Sequence, residues 1–153
     1  MVTIIFREVV FPLNSSNSEP QKHINFTPEQ IKAYLSTFKK LILEDKYTIA
    51  KNENRNENTE SMENYKIDTK KEKEILLSLE FDDFCYAVDN KKPKFAHEQL
   101  FVFCKTRDLD NWGELETVEI YIKTNLTQTR RGDDFIIVIS FHKLNNPIRF
   151  LFK

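Results

Sequence analysis

Two stretches of the sequence, VEIYIKTN (residues 118–125) and FIIVISFHK (residues 135–143), show the clearest strand patterns in the chain. In the first, apolar and polar residues alternate, so its three aliphatic side chains share one face while Tyr121 and Lys123 share the other. The second is almost wholly apolar, which is typical of a central strand. The charged sequence RRGDD lies between them and contains Gly132, which predicts a hairpin turn.

Two amphipathic helices are predicted in the N-terminal half of the chain. The first begins with the capping sequence TPEQ at Thr27 and continues with helical spacing of its apolar residues to Ile42. The second has Asp68 or Thr69 as its N-terminal cap and runs to Leu79. Residues 51–62, between the two helices, are rich in Asn and Glu and are consistent with either a loop or a short polar helix.

Further strands are predicted at residues 46–50, 99–105 and 148–152, with residues 107–114 turning the chain. This order favours an α+β fold in which N-terminal helices pack on one face of a mainly antiparallel C-terminal β-sheet. Residues 23–153 are expected to form this domain. Residues 1–22 are expected to be a strand-like arm followed by a polar linker, and this arm could add an edge strand to the sheet or pair with a partner.

The composition excludes several classes of function. The chain has 153 residues, with 23 Lys and Arg against 24 Asp and Glu, so its net charge gives no support for a nucleic-acid or membrane partner. Its two glycines, Gly113 and Gly132, cannot form a Walker A loop or a GxGxxG turn. Cys85, Cys104 and the histidines show no metal-ligand spacing, and no apolar run is long enough to span a membrane. We therefore expect a cytoplasmic protein with no metal and no cofactor.

Three residues of the predicted hairpin suggest a chemistry. Tyr121 and Lys123 are expected to face away from the core, and a regular hairpin would bring His142 near the same face. Histidine is the side chain that most readily changes its charge near neutral pH. Such a set can cleave RNA without a metal, because a base takes the proton of the 2′-hydroxyl, a cation stabilises the phosphate and an acid protonates the leaving 5′-oxygen. The alternative is a solvated sheet face without chemistry.

The C-terminal part of the chain is locally basic. Residues 118–153 contain six Lys and Arg against three acids. Among these cations, Arg130, Arg131 and Lys143 are the predicted substrate-binding residues, and phosphate binding through them would weaken with salt. A pair of arginines is also common at a solvent-exposed hairpin turn, so the pattern alone leaves both interpretations open.

Residues 30–143 resemble the MqsR-like toxins of the RelE superfamily through an ordered set of short motifs. The motifs are LILEDKYTIAKNENRN (41–56), KEILLSLEFDDFCYAVD (73–89), EQLFVFCK (98–105), VEIYIKTNL (118–126) and VISFHK (138–143). The last two are the most specific, because they are similar to the strands of that family that carry a Tyr-Ile-Lys and a Ser-Phe pair. The resemblance covers about three quarters of the chain and leaves out the N-terminal arm.

This resemblance implies a small α+β protein and a metal-independent endoribonuclease that cleaves mRNA. By position, it implies catalytic roles for Tyr121, Lys123, His142 and Tyr86. The sequence departs from the family at Tyr86, where the best-known member has Lys, and at or near Val102, where the family has Gln. The resemblance also implies a cognate antitoxin, often a helix-turn-helix protein, and growth inhibition through loss of translation, with the ribosome as a further partner.

Three hypotheses follow from the sequence. The first is an mRNA-cleaving toxin of a type II toxin–antitoxin pair. The second is a non-catalytic, toxin-derived binding module that acts on the ribosome or on a protein partner. The departures at Tyr86 and Val102 favour it, and the N-terminal arm would be its interaction element. The third is a domain whose charged sheet face only keeps it soluble.

Overall fold

The computed structural model describes residues 21–50 and 56–153, apart from the side chain of Asn56. The helices and strands within these residues are, in chain order, α1 (Pro28–Leu43), β1 (Tyr47–Ile49), α2 (Asn56–Asn64), α3 (Thr69–Leu77), β2 (Phe84–Asp89), β3 (Gln99–Asn111), β4 (Glu114–Gln128) and β5 (Asp134–Lys143). Short 3-10 turns occur at Phe81–Asp83 and Pro93–Phe95. The arm predicted at residues 1–13, and all but the end of the linker predicted at residues 14–22, lie outside the described residues.

The five strands form one mixed sheet in the order β1-β5-β4-β3-β2. Strands β2 to β5 pair antiparallel with their neighbours, whereas β1 pairs parallel with β5, with Tyr47 opposite Ile136. The predicted α+β class is confirmed, and the helices lie mostly in the N-terminal half. The sheet is mixed rather than purely antiparallel, because tertiary packing rather than local sequence decides the partner of the three-residue strand β1.

Local capping signals fix both predicted helices. The Thr27 hydroxyl accepts a hydrogen bond from Gln30 N, and the Gln30 side chain accepts one from Thr27 N, which completes a capping box at the start of α1. At α3, the Asp68 carboxylate accepts a hydrogen bond from Lys71 N at 2.8 Å. No helix in the described residues is long and apolar enough to cross a membrane.

The main core lies between the helices and one face of the sheet. Helix α1 buries Ile31, Leu35, Phe38, Leu41 and Ile42, each of which contributes about 1.5–3 kcal/mol through burial. Tyr34 of α1 stacks on Phe101 of β3 with ring centroids 4.2 Å apart. The Tyr34 hydroxyl also lies 2.7 Å from Thr124 Oγ1 of β4, so this hydroxyl has a hydrogen-bond partner although the sheet covers the side chain.

The β3–β4 hairpin is longer than the sequence predicts. Strand β3 continues to Asn111, and the chain reverses only at Trp112 and Gly113, where φ is 54° and 97°. The predicted turn at residues 107–114 is therefore wrong for most of its length. Leu109 explains the difference, because it is 2% exposed and lies in the core shared with the helices.

A smaller apolar cluster lies on the sheet face opposite to the helices. Its buried members are Cys85, Val102 and Cys104. Residues 144–151 cover this cluster: Leu144 N donates to the Glu119 carbonyl at 2.8 Å, and Leu151 N donates to the Phe84 carbonyl at 3.0 Å. The strand predicted at residues 148–152 is wrong, because residues 144–152 form neither a strand nor a helix. We call residues 144–151 the covering segment below.

Candidate functional site

A cleft of about 520 Å³ opens on the sheet face opposite to the helices. Its floor contains four residues that the sequence predicts to be catalytic: Tyr86, Tyr121, Lys123 and His142. Lys22 and the start of the covering segment, residues 144–148, also line the cleft. The cleft therefore combines aromatic rings, two lysines and a histidine on one surface.

Strands β4 and β5 place the tyrosine and the histidine side by side. Tyr121 and His142 are directly opposite each other in the ladder, and Lys123 is opposite Ser140. The rings of Tyr121 and His142 stack with their centroids 5.3 Å apart and their planes at 24°. This packing restricts the plane of the imidazole, since the ring lies against a second flat side chain.

A β-bulge in β5 brings His142 to the cleft face. Thr124 pairs with Val138 and the adjacent Lys123 pairs with Ser140, so Ile139 has no partner on β4. In a regular strand, His142 would share a face with Val138, which lies in the core beneath the helices. The extra residue reverses this alternation. The regular hairpin expected from the sequence is therefore wrong, and His142 reaches the cleft because of an irregularity.

The polar contacts of His142 define its proton positions. Its Nδ1 atom lies 2.8 Å from the Lys143 carbonyl oxygen and 3.7 Å from Glu57 Oε2. A carbonyl oxygen only accepts hydrogen bonds, so Nδ1 is the protonated nitrogen in this geometry. In the neutral ring, Nε2 then has the lone pair that can accept a proton. The side chain is 14% exposed, which leaves the ring accessible from the cleft.

Tyr121 is held as a neutral phenol. Burial raises its pKa, and a hydrogen bond with the Tyr86 side chain raises that pKa further. The hydroxyl group of Tyr121 is therefore a hydrogen-bond donor rather than a base near neutral pH. Because Tyr86 also lines the cleft, the two phenols form a connected pair on its floor.

Two lysines supply positive charge to the cleft. Lys123 lines the cleft floor next to the tyrosine pair. Lys22 lies with its Nζ atom 4.8 Å from the centre of the Tyr86 ring, which is the distance of a cation–π contact. Sequence reasoning missed Lys22, because no local pattern links a residue before α1 to the far face of the sheet. The residues at 145–148 were missed for the same reason.

The three predicted substrate-binding residues lie outside the cleft lining. Arg130 and Arg131 are exposed in the β4–β5 turn. Lys143 follows His142 and therefore faces the helix side, where its Nζ atom contacts Glu116 Oε2 at 3.2 Å. The structure thus brings together the predicted catalytic residues but not the predicted phosphate-binding residues.

Val102, at or near the position where the resemblance implies Gln, is fully buried below the cleft floor. The cysteines beside it are also buried, and this burial raises the pKa of Cys85 to about 12 and that of Cys104 to about 11. These thiols are therefore poor nucleophiles near neutral pH.

Within the described residues, no group of three or more His, Cys, Asp or Glu side chains could hold a metal ion. The cleft itself contains histidine, lysine, tyrosine and amide groups, which suit proton transfer and the binding of an anion. Comparison of the chain with protein-family models, with curated proteins and with solved structures finds no match.

Proposed function

We propose that this protein is a metal-independent endoribonuclease that cleaves mRNA, as a toxin of the MqsR-like, RelE-type class. One observation supports this most strongly: Tyr121, Lys123 and His142 lie together in one cleft, and the Nε2 atom of the neutral His142 ring can accept a proton. The motif resemblance supports the same class independently of this geometry. The α+β fold is compatible with that class.

The proposed reaction is an internal transesterification of RNA. His142 Nε2 takes the proton of a 2′-hydroxyl, and the 2′-oxygen attacks the adjacent phosphorus. Lys123 neutralises the charge that develops on the phosphate oxygens, and the Tyr121 hydroxyl donates a hydrogen bond to them. The bond from phosphorus to the 5′-oxygen breaks, this oxygen leaves with a proton from a donor in the cleft, and a 2′,3′-cyclic phosphate remains.

The proposed setting is the bacterial cytoplasm, with mRNA as substrate and the ribosome as a further partner. A cognate antitoxin, such as a helix-turn-helix protein, would keep the toxin inactive until it is released. The presence of a small neighbouring reading frame that encodes such a protein would support this setting. Binding of that neighbour to the purified chain, followed by loss of RNA cleavage, would establish the pair directly.

The test is induced expression of the wild type and of His142→Gln in a bacterial host, with growth and total mRNA followed over time. His97→Gln is a matched control, since His97 is 76% exposed and lies in the loop before β3 rather than in the cleft. We expect growth arrest and mRNA loss with the wild type and His97→Gln but not with His142→Gln. Purified protein should cleave a labelled RNA oligonucleotide in the presence of a chelator. Intact RNA in both assays would overturn the enzymatic proposal.

A second candidate function is a non-catalytic binding module on the same fold. The specific observation in its favour is Val102, because a buried aliphatic side chain stands where the resemblance implies a polar one. Growth arrest with intact mRNA, retained in His142→Gln, would support this candidate. A ribosome or protein partner recovered with the wild type would then identify its target.

A further inference from the structure

Helix α2 is hydrogen-bonded to the part of β5 that contains the bulge. Asn58 of α2 is completely buried, and its amide makes three hydrogen bonds to the backbone. Its Nδ2 atom donates to the Ala50 carbonyl at 2.7 Å and to the Ile139 carbonyl at 3.0 Å. Its Oδ1 atom accepts from Phe141 N at 2.8 Å. The hydrogen bonds of this one buried side chain are thus directed at the end of β1 and at the bulge.

The amide of Asn58 takes the place of a neighbouring strand. Strand β1 covers the outer edge of β5 and ends at Ile49, with the last bond from Ala50 N to the Val138 carbonyl at 2.9 Å. Beyond the end of β1, Asn58 binds the carbonyl of Ile139 and the N–H of Phe141, which are the backbone groups on either side of Ser140. A residue on a parallel strand forms the same pair of bonds around the residue opposite to it. The side-chain amide therefore extends the parallel edge by one peptide unit.

We propose that Asn58 is a positioning residue that holds the β5 bulge and thereby keeps His142 in the cleft. The position of His142 depends on the bulge, because pairing of Ile139 with Lys123 would turn His142 toward the helices. Phe141, which is fully buried in the main core, favours the same arrangement. Asn58 adds fixed hydrogen bonds on both sides of Ser140. The expected effect of Asn58 on RNA cleavage rests on the proposed function, whereas its expected effect on the position of His142 does not.

A neighbouring residue of α2 acts on the same histidine. Glu57 Oε2 lies 3.7 Å from His142 Nδ1 and also accepts a hydrogen bond from Asn145 Nδ2 of the covering segment. Helix α2 thus contacts the strand, the imidazole and one wall of the cleft. A shift of α2 would move all three together.

The test compares Asn58→Ala with a matched control and with a rescue. Ser61→Ala is the control, because Ser61 Oγ accepts a hydrogen bond from Lys143 N at 3.1 Å, and this bond also joins α2 to β5, but beyond the bulge.

The rescue is deletion of Ile139 in the Asn58→Ala protein. That deletion makes the β4–β5 ladder regular while every other pair stays in place, including Tyr121 with His142. Asn58→Ser, which is uncharged and keeps a small hydroxyl in the buried site, carries the same test if Asn58→Ala does not fold.

The first readout is the nuclear magnetic resonance signal of the His142 ring, which stacking on Tyr121 shifts through the ring current. We expect Asn58→Ala to lose this shift, Ser61→Ala to keep it and the deletion to restore it.

The second readout is RNA cleavage, where Asn58→Ala should lower kcat on the order of 10²-fold with little change in KM, and the deletion should recover kcat. Retention of the ring shift in Asn58→Ala, or a folded deletion variant without it, would overturn the proposal. A wild type that cleaves no RNA would overturn the proposed function and leave the ring-shift test valid.

Discussion

Tyr121 and His142 stack across β4 and β5 with their ring centroids 5.3 Å apart, and they are direct partners in the strand ladder. The stacking couples two groups with different roles, because His142 has a nitrogen that can accept a proton and Tyr121 keeps its hydroxyl proton. A change in one ring should therefore alter the orientation of the other as well as its own chemistry.

Tyr121→Phe should separate these two roles. Phenylalanine keeps the stack on His142 but lacks the hydroxyl and its hydrogen bond with Tyr86. We expect RNA cleavage to fall on the order of 10²-fold, since one donor to the transition state is removed, while stability changes by only about 1 kcal/mol. The matched control is Tyr47→Phe, which removes a hydroxyl that donates to Glu72 Oε1 at 3.0 Å on the edge strand β1. Equal activity of the two variants would contradict a catalytic role for the Tyr121 hydroxyl.

Arg130 and Arg131 should contribute to RNA binding although they do not line the cleft. They lie in the turn at the end of the same two strands, so an extended RNA chain that enters the cleft can also pass this turn. The double variant Arg130→Ala/Arg131→Ala should weaken binding, and the slope of log affinity against log salt should become shallower by about 1 for each phosphate that an arginine neutralises. Lys39→Ala/Lys40→Ala on α1 removes the same charge from the opposite side of the sheet. An equally shallow slope in both double variants would indicate only a general charge effect.

The link between β3 and α3 should make stability sensitive to acid. A hydrogen bond from the Arg107 guanidinium, and another from Lys71, hold the pKa of Glu74 below its usual range. A carboxylate with a lowered folded-state pKa stabilises the protein above its unfolded pKa, and this contribution disappears as the pH falls through the folded value. Urea unfolding of wild type, Glu74→Gln, Arg107→Gln and the double variant from neutral to acidic pH would measure the coupling. A coupling energy that stays constant as the pH falls would contradict this assignment.

Asp83 should be the most sensitive charged residue of the described structure. Its side chain is 5% exposed and accepts contacts from Lys105 Nζ at 3.1 Å and Lys153 Nζ at 3.4 Å. Asp83→Ala should destabilise the protein by about 3 kcal/mol, because Lys105 would remain largely buried without its anion. Lys153→Ala should destabilise it by less than about 1 kcal/mol, since that lysine side chain is 45% exposed. Urea unfolding of both variants measures this difference, and equal destabilisation would argue against a buried charge at Asp83.

The sequence predicts the parts of the fold that local signals determine. The capping residues Thr27 and Asp68 mark the starts of α1 and α3, because each cap binds backbone groups only a few residues away. Strand β2 was not predicted, because acidic and aromatic residues obscure the alternation of apolar and polar side chains. In addition, Cys85 lies at a register shift between Phe84 and Tyr86. The parallel pairing of β1 with β5 depends on long-range packing, which no local pattern encodes.

In the candidate site too, local sequence patterns predict some features, whereas others depend on tertiary contacts. The alternation of β4 is enough to place Tyr121 and Lys123 on the face away from the helices. We expected a regular hairpin to bring His142 to this face too, but a regular ladder would turn it toward the core, and the residue reaches the cleft through a bulge instead. The bulge depends on Phe141 entering the core and on a buried amide from α2, and only the tertiary structure reveals that second contact.

The walls and the floor of the cleft come from distant parts of the chain. Lys22 precedes the first helix, the floor belongs to β2, β4 and β5, and residues 144–148 follow the last strand. Contacts between segments that are far apart in sequence require the closure of long loops, whereas the β3–β4 and β4–β5 hairpins require only short ones. We therefore expect the hairpins to form early in folding, and the cleft to assemble late and to open first when the protein unfolds.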